Sequence, residues 1–466
     1  MQVASVWQAS LIPFRSRPED DPCPAPAGSS STASPSLAVP LARAVAVACR
    51  RRHAFTPPAC PLPPDTYASH PAPAPYLPSS CSFQLHRREP IARAELSLDM
   101  RAAMSAGLWQ LLVAVSAFLA TAAAQETGAA PMVPALFVFG DSLLDNGNNN
   151  NLASLAKANY LPYGIDFAAG PTGRFCNGYT IVDELAELLG LPLVPAYSQA
   201  SDSGQQLLQG VNYASAAAGI LDESGGNFVG RIPFNQQVQN FESTVGQIGA
   251  TASGGPAIAA GIVARSIVFV GLGSNDYLNN YIMPNFETRR RYTPQQFADL
   301  LVTRYASQLT RLYKAGARRF VVAGVGSMGC IPTILARSTD GRCSEEVDQL
   351  VAPFNAGVRG MLDGLNAGLP GATFTYLDNY RLFKLMLAHP ASYGFDVVDR
   401  GCCGIGRNGG QMTCLPFMPP CADRERYIFW DAYHPTAAVN VIMARQAFDG
   451  ASDVVSPVNV RRLAQL

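Results

Sequence analysis

The sequence lacks an excess of either charge, because 34 Lys and Arg residues stand against 34 Asp and Glu residues in a chain of 466. Nucleic-acid-binding proteins usually carry a basic excess or a basic stripe, so this balance argues against a nucleic-acid partner. Charged residues make up only 15% of the chain, whereas hydrophobic residues make up 48%. Such a composition excludes a chain that is disordered throughout.

The first hundred residues contain no Asn and no Lys, and they hold 17 of the 36 prolines. They have no apolar periodicity, so they cannot bury enough surface to offset the entropy of ordering them. We therefore interpret residues 1–103 as a low-complexity extension rich in Pro, Arg and Ala, which is either disordered or an artefact of the gene model.

An apolar run follows at residues 107–124, which read GLWQLLVAVSAFLATAAA. Arg101 supplies a positive charge before the run, and Ala122 and Ala124 supply the small residues of a cleavage site. A membrane anchor is the alternative, but 18 residues are at the lower limit for a spanning helix, and the last third is Ala and Thr.

We predict that residues 104–124 are a cleaved signal peptide and that translation starts at Met100 or Met104. The mature chain, residues 125–466, is then a single secreted domain with no stable membrane span. It contains 24 Lys and Arg against 27 Asp and Glu, a net charge of about −3.

Seven cysteines lie after residue 124: Cys176, Cys330, Cys343, Cys402, Cys403, Cys414 and Cys421. A secreted chain oxidises most of its cysteines, and an odd number leaves at least one thiol. We predict that Cys330 pairs with Cys343, that residues 402–421 hold two disulfides of unresolved pairing, and that Cys176 is the free thiol. The alternative for residues 402–421 is a zinc site, which adjacent cysteines and an oxidising compartment disfavour.

After residue 125, apolar β-branched runs alternate with longer helical patterns. We predict strands at 135–139, 211–215, 266–272, 319–325 and 373–377, and helices at 178–189, 234–248, 294–315, 345–367 and 435–448. Apolar strands that alternate with helices indicate an α/β fold. Its sheet has about five strands, is mainly parallel and is covered by helices on both faces.

In open α/β folds, ligands bind beyond the carboxyl ends of the strands, so polar residues at these ends are candidates for function. Ser142 follows the first predicted strand, on a turn where backbone N–H groups can stabilise an oxyanion. Asn275 follows the third predicted strand and can direct an amide donor over the same edge. The alternatives are an ordinary N-cap serine and a turn asparagine.

Histidine is scarce, since only His389 and His434 occur after residue 124. If the chain is a serine hydrolase with a histidine base, the base is one of these two. His389 lies at the end of a predicted helix, where an interaction with the helix dipole explains it. Asp431 precedes His434 by three residues and can accept a hydrogen bond from the ring, although a loop or cap role is the alternative for Asp431.

Five segments of the chain resemble, in order, the sequence blocks of plant GDSL esterases/lipases, which are members of the SGNH hydrolase superfamily. They are residues 140–150 (GDSLLDNGNNN), 171–178 (PTGRFCNG), 210–215 (GVNYAS), 273–276 (GSND) and 431–434 (DAYH). The matches cover nearly all of residues 133–450, whereas residues 1–103 have no counterpart. The resemblance implies a three-layer α/β/α fold of the SGNH hydrolase, flavodoxin-like type.

The resemblance also implies a role for each matching residue. Ser142 corresponds to the nucleophile, His434 to the general base and Asp431 to the carboxylate that orients the base. Asn275 corresponds to the side-chain amide of the oxyanion hole, and the backbone N–H of Ser142 contributes to the same hole.

The sequence departs from the family pattern just after the matching segment 210–215. The family usually has glycine after Ala-Ser, whereas this chain has Ala216, Ala217 and Ala218 before Gly219. The oxyanion hole uses a backbone N–H at this point, so alanine can serve there if its backbone conformation is accessible to a residue with a Cβ. We expect either Ala216 or Ala217 to be the donor.

We therefore expect a serine esterase, secreted to the apoplast or cell wall, that hydrolyses a carboxylic ester of a lipid, an acylated plant metabolite or a polymer. The mechanism requires no cofactor and no metal. The expected partner is a small-molecule or lipid ester, with no nucleic acid. An acyltransferase would use the same residues, and a secreted binding or defence protein could keep the fold without turnover.

Overall fold

The structure is a computed structural model that describes residues 130–200, 206–251 and 255–466. The predictions for residues 1–124 therefore lie outside the described residues. Among the helices that are described, none is long and apolar enough to cross a lipid bilayer.

The described residues contain seven strands: β1 Leu136–Gly140, β2 Ile267–Gly271, β3 Arg319–Ala323, β4 Thr373–Leu377, β5 Val397–Gly401, β6 Tyr427–Phe429 and β7 Val455–Ser456. The main sheet has the order β1-β2-β3-β4-β7, with β1 to β4 parallel and β7 antiparallel to β4. Strands β5 and β6 form a separate parallel pair. Every residue of β1 is buried, as expected for a parallel strand covered on both faces. The prediction of a mainly parallel sheet of about five strands is confirmed.

Helices connect most of the strands of the main sheet. The longer helices in the described part of the chain span Ile181–Leu188, Phe234–Thr251, Gly255–Arg265, Pro294–Lys314, Glu345–Gly368, Asn379–Ala388 and Ala437–Asp449. Shorter helices span Tyr197–Ala200, Ser274–Asp276, Thr288–Arg291, Pro332–Leu335 and Val460–Leu463. Pro294 occupies the first turn of its helix, as predicted, because the N–H that proline lacks has no partner within a helix at that position.

The helices pack in pairs against the sheet. Ile181–Leu188 packs against Ala437–Asp449, and Pro294–Lys314 packs against Glu345–Gly368. The buried side chains of these helices and of the main sheet form one large hydrophobic core. The result is the expected three-layer α/β/α architecture.

The segment 211–215, predicted as a strand, is not one. It runs beside β1 and forms a single parallel bridge, between Asn212 and Val138. The ladder is incomplete at the end of β1. The Gly140 carbonyl still accepts from the Ser215 N–H at 3.0 Å, but the Gly140 N–H donates to the Gln237 side chain at 3.0 Å and not to segment 211–215. The fifth strand of the sheet is instead β7, whose two residues are too few to produce a periodic pattern.

The strand register determines which loops meet at the carboxyl edge of the sheet. Gly140, the last residue of β1, pairs with Gly271, the last residue of β2, which in turn pairs with Ala323 of β3. The segments that leave β1 and β2 therefore begin side by side. Ser142 and Asn275 lie on these two segments, so the sheet itself brings the predicted nucleophile and the predicted amide donor to one edge.

The cysteines form three disulfides in the described residues, Cys330–Cys343, Cys402–Cys421 and Cys403–Cys414. The predicted Cys330–Cys343 pair and the two disulfides within residues 402–421 are confirmed, and the zinc alternative is wrong because all four cysteines there are oxidised. Cys176 is the predicted free thiol. Burial raises the pKa of Cys176 to about 12, so it remains a neutral thiol, which donates to the Gly178 carbonyl.

The exported protein, if it begins at Gln125, should have one reactive thiol per chain after denaturation without a reductant, because six of its seven cysteines are in disulfides. Titration with a chromogenic thiol reagent measures this number. Prior reduction of the same sample should raise it to seven. A count of five or more without reduction contradicts the disulfide assignment.

Candidate active site

Ser142 lies on the tight turn that follows β1. The Asp141 carboxyl accepts from the Leu143 N–H at 3.0 Å, and the Asp141 carbonyl accepts from the Asp145 N–H at 2.9 Å, which closes the turn. Burial raises the pKa of Asp141 to about 7. The Ser142 side chain is half-buried, and its backbone N–H has no acceptor among the described residues. That N–H is therefore available to a bound group.

His434 contacts Ser142 with one ring nitrogen and Asp431 with the other. Its Nε2 lies 2.8 Å from Ser142 Oγ, and its Nδ1 lies 2.8 Å from Asp431 Oδ1 and 2.9 Å from Asp431 Oδ2. A carboxylate at Nδ1 favours the tautomer that carries its proton there, which leaves Nε2 able to accept the proton of Ser142. The three predicted residues thus form one hydrogen-bonded chain, although Ser142 and His434 are 292 positions apart.

A reversal of the chain between Trp430 and His434 brings Asp431 against the imidazole ring. The Trp430 N–H donates to the His434 carbonyl at 2.8 Å, which closes the reversal. Asp431 Oδ1 accepts from the N–H groups of Tyr433 and His434, each at 2.8 Å. The helix that follows begins immediately, with Thr436 as its N-cap. With a spacing of three residues, this turn brings the side chains of Asp431 and His434 together.

Asp431 has no exposed surface, yet its surroundings favour the charged form. Burial alone raises the pKa of this carboxyl group, but the positive charge that His434 can carry and the hydrogen bonds from His434 and Tyr163 have the larger combined effect. They hold the pKa of Asp431 below its usual value. A carboxylate that stays ionised can stabilise an imidazolium on His434 during a reaction.

Asn275 lies on the segment that leaves β2, and its amide group has a fixed orientation. The side chain of Asn279 donates to Asn275 Oδ1 at 2.6 Å, and Asn275 Nδ2 donates to the Ala218 carbonyl at 3.0 Å. Asn279 reaches this position because the residues Tyr277–Tyr281 form a wide π-helical turn. The second hydrogen of Asn275 Nδ2 has no acceptor among the described residues and is available to a ligand.

The structure distinguishes the two alanines of the candidate oxyanion hole. The Ala216 N–H donates to Asp145 Oδ2 at 2.9 Å, so it already has a partner. Ala217 adopts a left-handed conformation with a φ of 68°, which usually costs a residue with a Cβ about 1–2 kcal/mol. Its N–H has no acceptor in the described part of the chain.

His389, the other histidine after residue 124, is the C-cap residue that follows the helix Asn379–Ala388 and is exposed. The imidazole that contacts Ser142 belongs to His434. Within residues 130–200, 206–251 and 255–466, no group of three or more His, Cys, Asp and Glu side chains has the arrangement of a metal site.

Four residues of the site were not identified from the sequence: Asp145, Tyr163, Asn279 and Thr413. Asp145 lies within the first matching block, and Asn279 lies just after the GSND block. Proximity to a motif is therefore the only feature of the sequence that indicates a role for these two residues in the site. Tyr163 and Thr413 donate to Asp431 Oδ2 from segments with no recognised motif. Only the folded structure brings these two hydroxyl groups to the carboxylate.

Comparison with known proteins identifies the family of the chain. The family model described as GDSL-like Lipase/Acylhydrolase matches residues 136–447. Among curated proteins of Arabidopsis thaliana, GDSL esterase/lipase At1g71691 is 63% identical over 335 residues, which cover 72% of this chain and 86% of the relative. GDSL esterase/lipase At1g29670 is 52% identical over 339 residues, 72% of this chain and 92% of the relative.

A third relative, GDSL esterase/lipase 7 of the same plant, is 47% identical over 340 residues, 72% of this chain and 93% of the relative. The matched region contains every residue of the site described above. The family model covers more than half of the chain, and the relatives are aligned over most of their own length. The chain therefore belongs to the family of GDSL-like lipases/acylhydrolases, and it is a hydrolase of the esterase/lipase type.

Proposed function

We propose that the chain is a secreted serine esterase that cleaves carboxylic esters through an acyl-enzyme on Ser142. The observation that carries the proposal is the continuous chain of contacts from Ser142 Oγ through the ring of His434 to Asp431, with 2.8 Å at each step. A serine, a histidine and a buried carboxylate in this order provide a nucleophile, a base and a group that orients the base.

The reaction begins when His434 Nε2 takes the proton of Ser142 as the Ser142 oxygen attacks the ester carbonyl carbon. The imidazolium that forms is stabilised by the adjacent Asp431 carboxylate. His434 then gives its proton to the leaving alcohol, and the acyl group remains on Ser142. A water molecule attacks the acyl-enzyme by the same sequence of proton transfers and releases the acid.

Three donors support the negative charge that develops on the carbonyl oxygen. They are the Ser142 N–H, the Ala217 N–H and Asn275 Nδ2, each of which has a hydrogen without an acceptor among the described residues. We assign Ala217 rather than Ala216 because the Ala216 N–H already donates to Asp145. Asn279 orients the Asn275 amide so that its nitrogen, and not its oxygen, is directed towards the developing charge.

Transfer of the acyl group to an alcohol other than water is the nearest alternative, since the same residues would catalyse it. We favour hydrolysis because the relatives are named esterase/lipase. A secreted binding or defence protein without turnover is a second alternative. The intact contacts of Ser142, His434 and Asp431 argue against it.

Secretion to the apoplast or cell wall is part of the proposal. The signal-peptide pattern at residues 101–124 supports it, and so do the three disulfides, which persist in oxidising compartments. The substrate is a lipid ester, an acylated plant metabolite or a polymer ester.

Ser142→Ala and His434→Ala should each abolish hydrolysis of a short-chain p-nitrophenyl ester almost completely. The double variant should lose little more, because either change alone disables the nucleophile. His389→Ala is the matched control and should change kcat by no more than a few-fold, since His389 is exposed and does not contact Ser142. An inactive, folded His389→Ala beside an active His434→Ala contradicts the assignment of the base.

Asn275→Ala should lower kcat by ~10²–10³ with KM nearly unchanged, because its donor acts mainly when negative charge develops on the oxygen. Steady-state kinetics with the same ester measure both constants. Asn285→Ala, which removes an exposed amide from the same region, is the control and should leave both unchanged. A rise in KM without a fall in kcat would show that Asn275 binds the ground state instead.

The secreted protein should have a mature N-terminus near Gln125, because the signal-peptide pattern ends with Ala122 and Ala124. N-terminal sequencing of protein recovered from the medium or the cell wall measures this. A mature terminus before Met100, or a protein that remains inside the cell, contradicts the proposal.

A further inference from the structure

Two hydroxyl groups bind Asp431 Oδ2, the carboxylate oxygen that accepts no backbone N–H from the chain reversal. The Tyr163 hydroxyl donates to Asp431 Oδ2 at 2.6 Å, and the Thr413 hydroxyl donates to the same oxygen at 3.1 Å. The two hydroxyl oxygens are themselves 3.1 Å apart. They form a closed triangle with the carboxylate oxygen, and neither belongs to the segment that carries Asp431.

The Tyr163 ring cannot easily turn away from Asp431. It is 1% exposed and has edge-to-face contacts with the rings of Tyr160, Phe175 and Trp430, with centroids 5.3, 6.0 and 6.1 Å away. Burial, with the nearby charge of Asp431, raises the pKa of Tyr163 well above its usual value. Tyr163 therefore remains a neutral phenol and a permanent donor.

Thr413 is held in place by the disulfide-bonded loop that contains it. Its neighbour Cys414 is joined to Cys403, and the Cys403 N–H donates to the Trp430 carbonyl at 2.7 Å, immediately before Asp431. The Cys414 carbonyl accepts from the Tyr160 hydroxyl at 2.9 Å. The loop is thus fastened to both segments that it bridges.

We propose that Tyr163 and Thr413 are positioning residues of the catalytic triad, which fix the orientation of the Asp431 carboxylate and set the pH range in which His434 acts as a base. This inference rests on the proposed function, because it assigns a role to groups that act through Asp431. Neither residue has a hydrogen bond to Ser142 among the described contacts.

The expected effect on pH dependence follows from the charge on Asp431. Each donor to Oδ2 disperses part of the negative charge of the carboxylate, so it weakens the attraction between Asp431 and a protonated His434. Loss of a donor strengthens that attraction, and His434 then retains its proton to higher pH. Because only the unprotonated ring accepts the proton of Ser142, the acidic limb of the kcat/KM profile should move to higher pH.

Other titratable groups face Asp431 and His434, and they can also affect the pH profiles of the variants. Those with an electrostatic interaction with Asp431 or His434 are Asp141, Tyr160, Tyr163, Cys176 and Tyr433. Of these groups, only Asp141, with a pKa of about 7, titrates near neutrality. Asp141 is present in every variant, so its titration contributes to every pH profile. A difference in midpoint between two variants is therefore not caused by the loss of Asp141.

The test is the pH profile of kcat/KM over roughly pH 4 to 9 for the full chain, with a short-chain p-nitrophenyl ester as the probe. In Tyr163→Phe the midpoint of the acidic limb should rise by about 0.5–1 pH unit, because only part of the free energy of the hydrogen bond to Asp431 is transmitted to His434. Thr413→Val should shift the midpoint in the same direction by a smaller amount, because its bond is longer. Thr413→Ser, which keeps the hydroxyl, should restore the original midpoint.

Tyr313→Phe is the matched control, because it removes the same hydroxyl group from a tyrosine that donates to the Pro370 carbonyl and not to Asp431. Its midpoint should be unchanged. An unchanged midpoint in folded Tyr163→Phe, or an equal shift in Tyr313→Phe, would overturn the proposal. If Tyr163→Phe does not fold, Thr413→Val beside Thr413→Ser decides the question alone, and equal midpoints in these two variants overturn it.

Ser142→Ala, measured in parallel, distinguishes a failure of the proposed function from a failure of the positioning proposal. If Ser142→Ala still hydrolyses the ester, the proposed function fails, and the positioning proposal fails with it. If Ser142→Ala is inactive and the acidic limb does not move in the hydroxyl variants, the positioning proposal alone fails.

Discussion

Asp145, Asp276 and Asp431 have no surface exposed to solvent, and a buried carboxyl group is unfavourable unless hydrogen-bond donors surround it. Each finds donors in a segment far along the chain. Asp145 and Asp276 bind backbone N–H groups of residues 216–221, and Asp431 binds the hydroxyl of Tyr163. These hydrogen bonds join the loops around Ser142 to one another beyond the carboxyl ends of the strands.

The sheet and these carboxyl groups make different contributions to the site. The register of β1 and β2 brings the segments of Ser142 and Asn275 to one edge, as in other parallel sheets. Asp145 then fixes the segment that contains Ala217. Asp431 stands at the opposite end of the proposed path of the proton from Ser142, and there it is both buried and charged. Its donors make that combination possible, and they come from the chain reversal before the last long helix and from two separate loops.

Much of the fold could be predicted because buried parallel strands are recognisable as short apolar runs, as in residues 319–323. The segment 211–215 has the same appearance, and it does lie beside β1. The side chain of Gln237 takes the Gly140 N–H from this pairing, and no local pattern could reveal a contact between positions 97 apart. Likewise, Ser142 and His434 were identifiable from their motifs, whereas Tyr163 and Thr413 contact Asp431 only after the loops have folded.

The distance of 292 positions between Ser142 and His434 has a consequence for the timing of synthesis. A ribosome adds roughly 5–20 residues per second, so the base of the proposed triad is made about 15 to 60 s after the nucleophile. An unfinished chain carries Ser142 without the imidazole that activates it. In the proposed mechanism, the growing polypeptide therefore cannot act on esters until nearly the whole chain has left the ribosome.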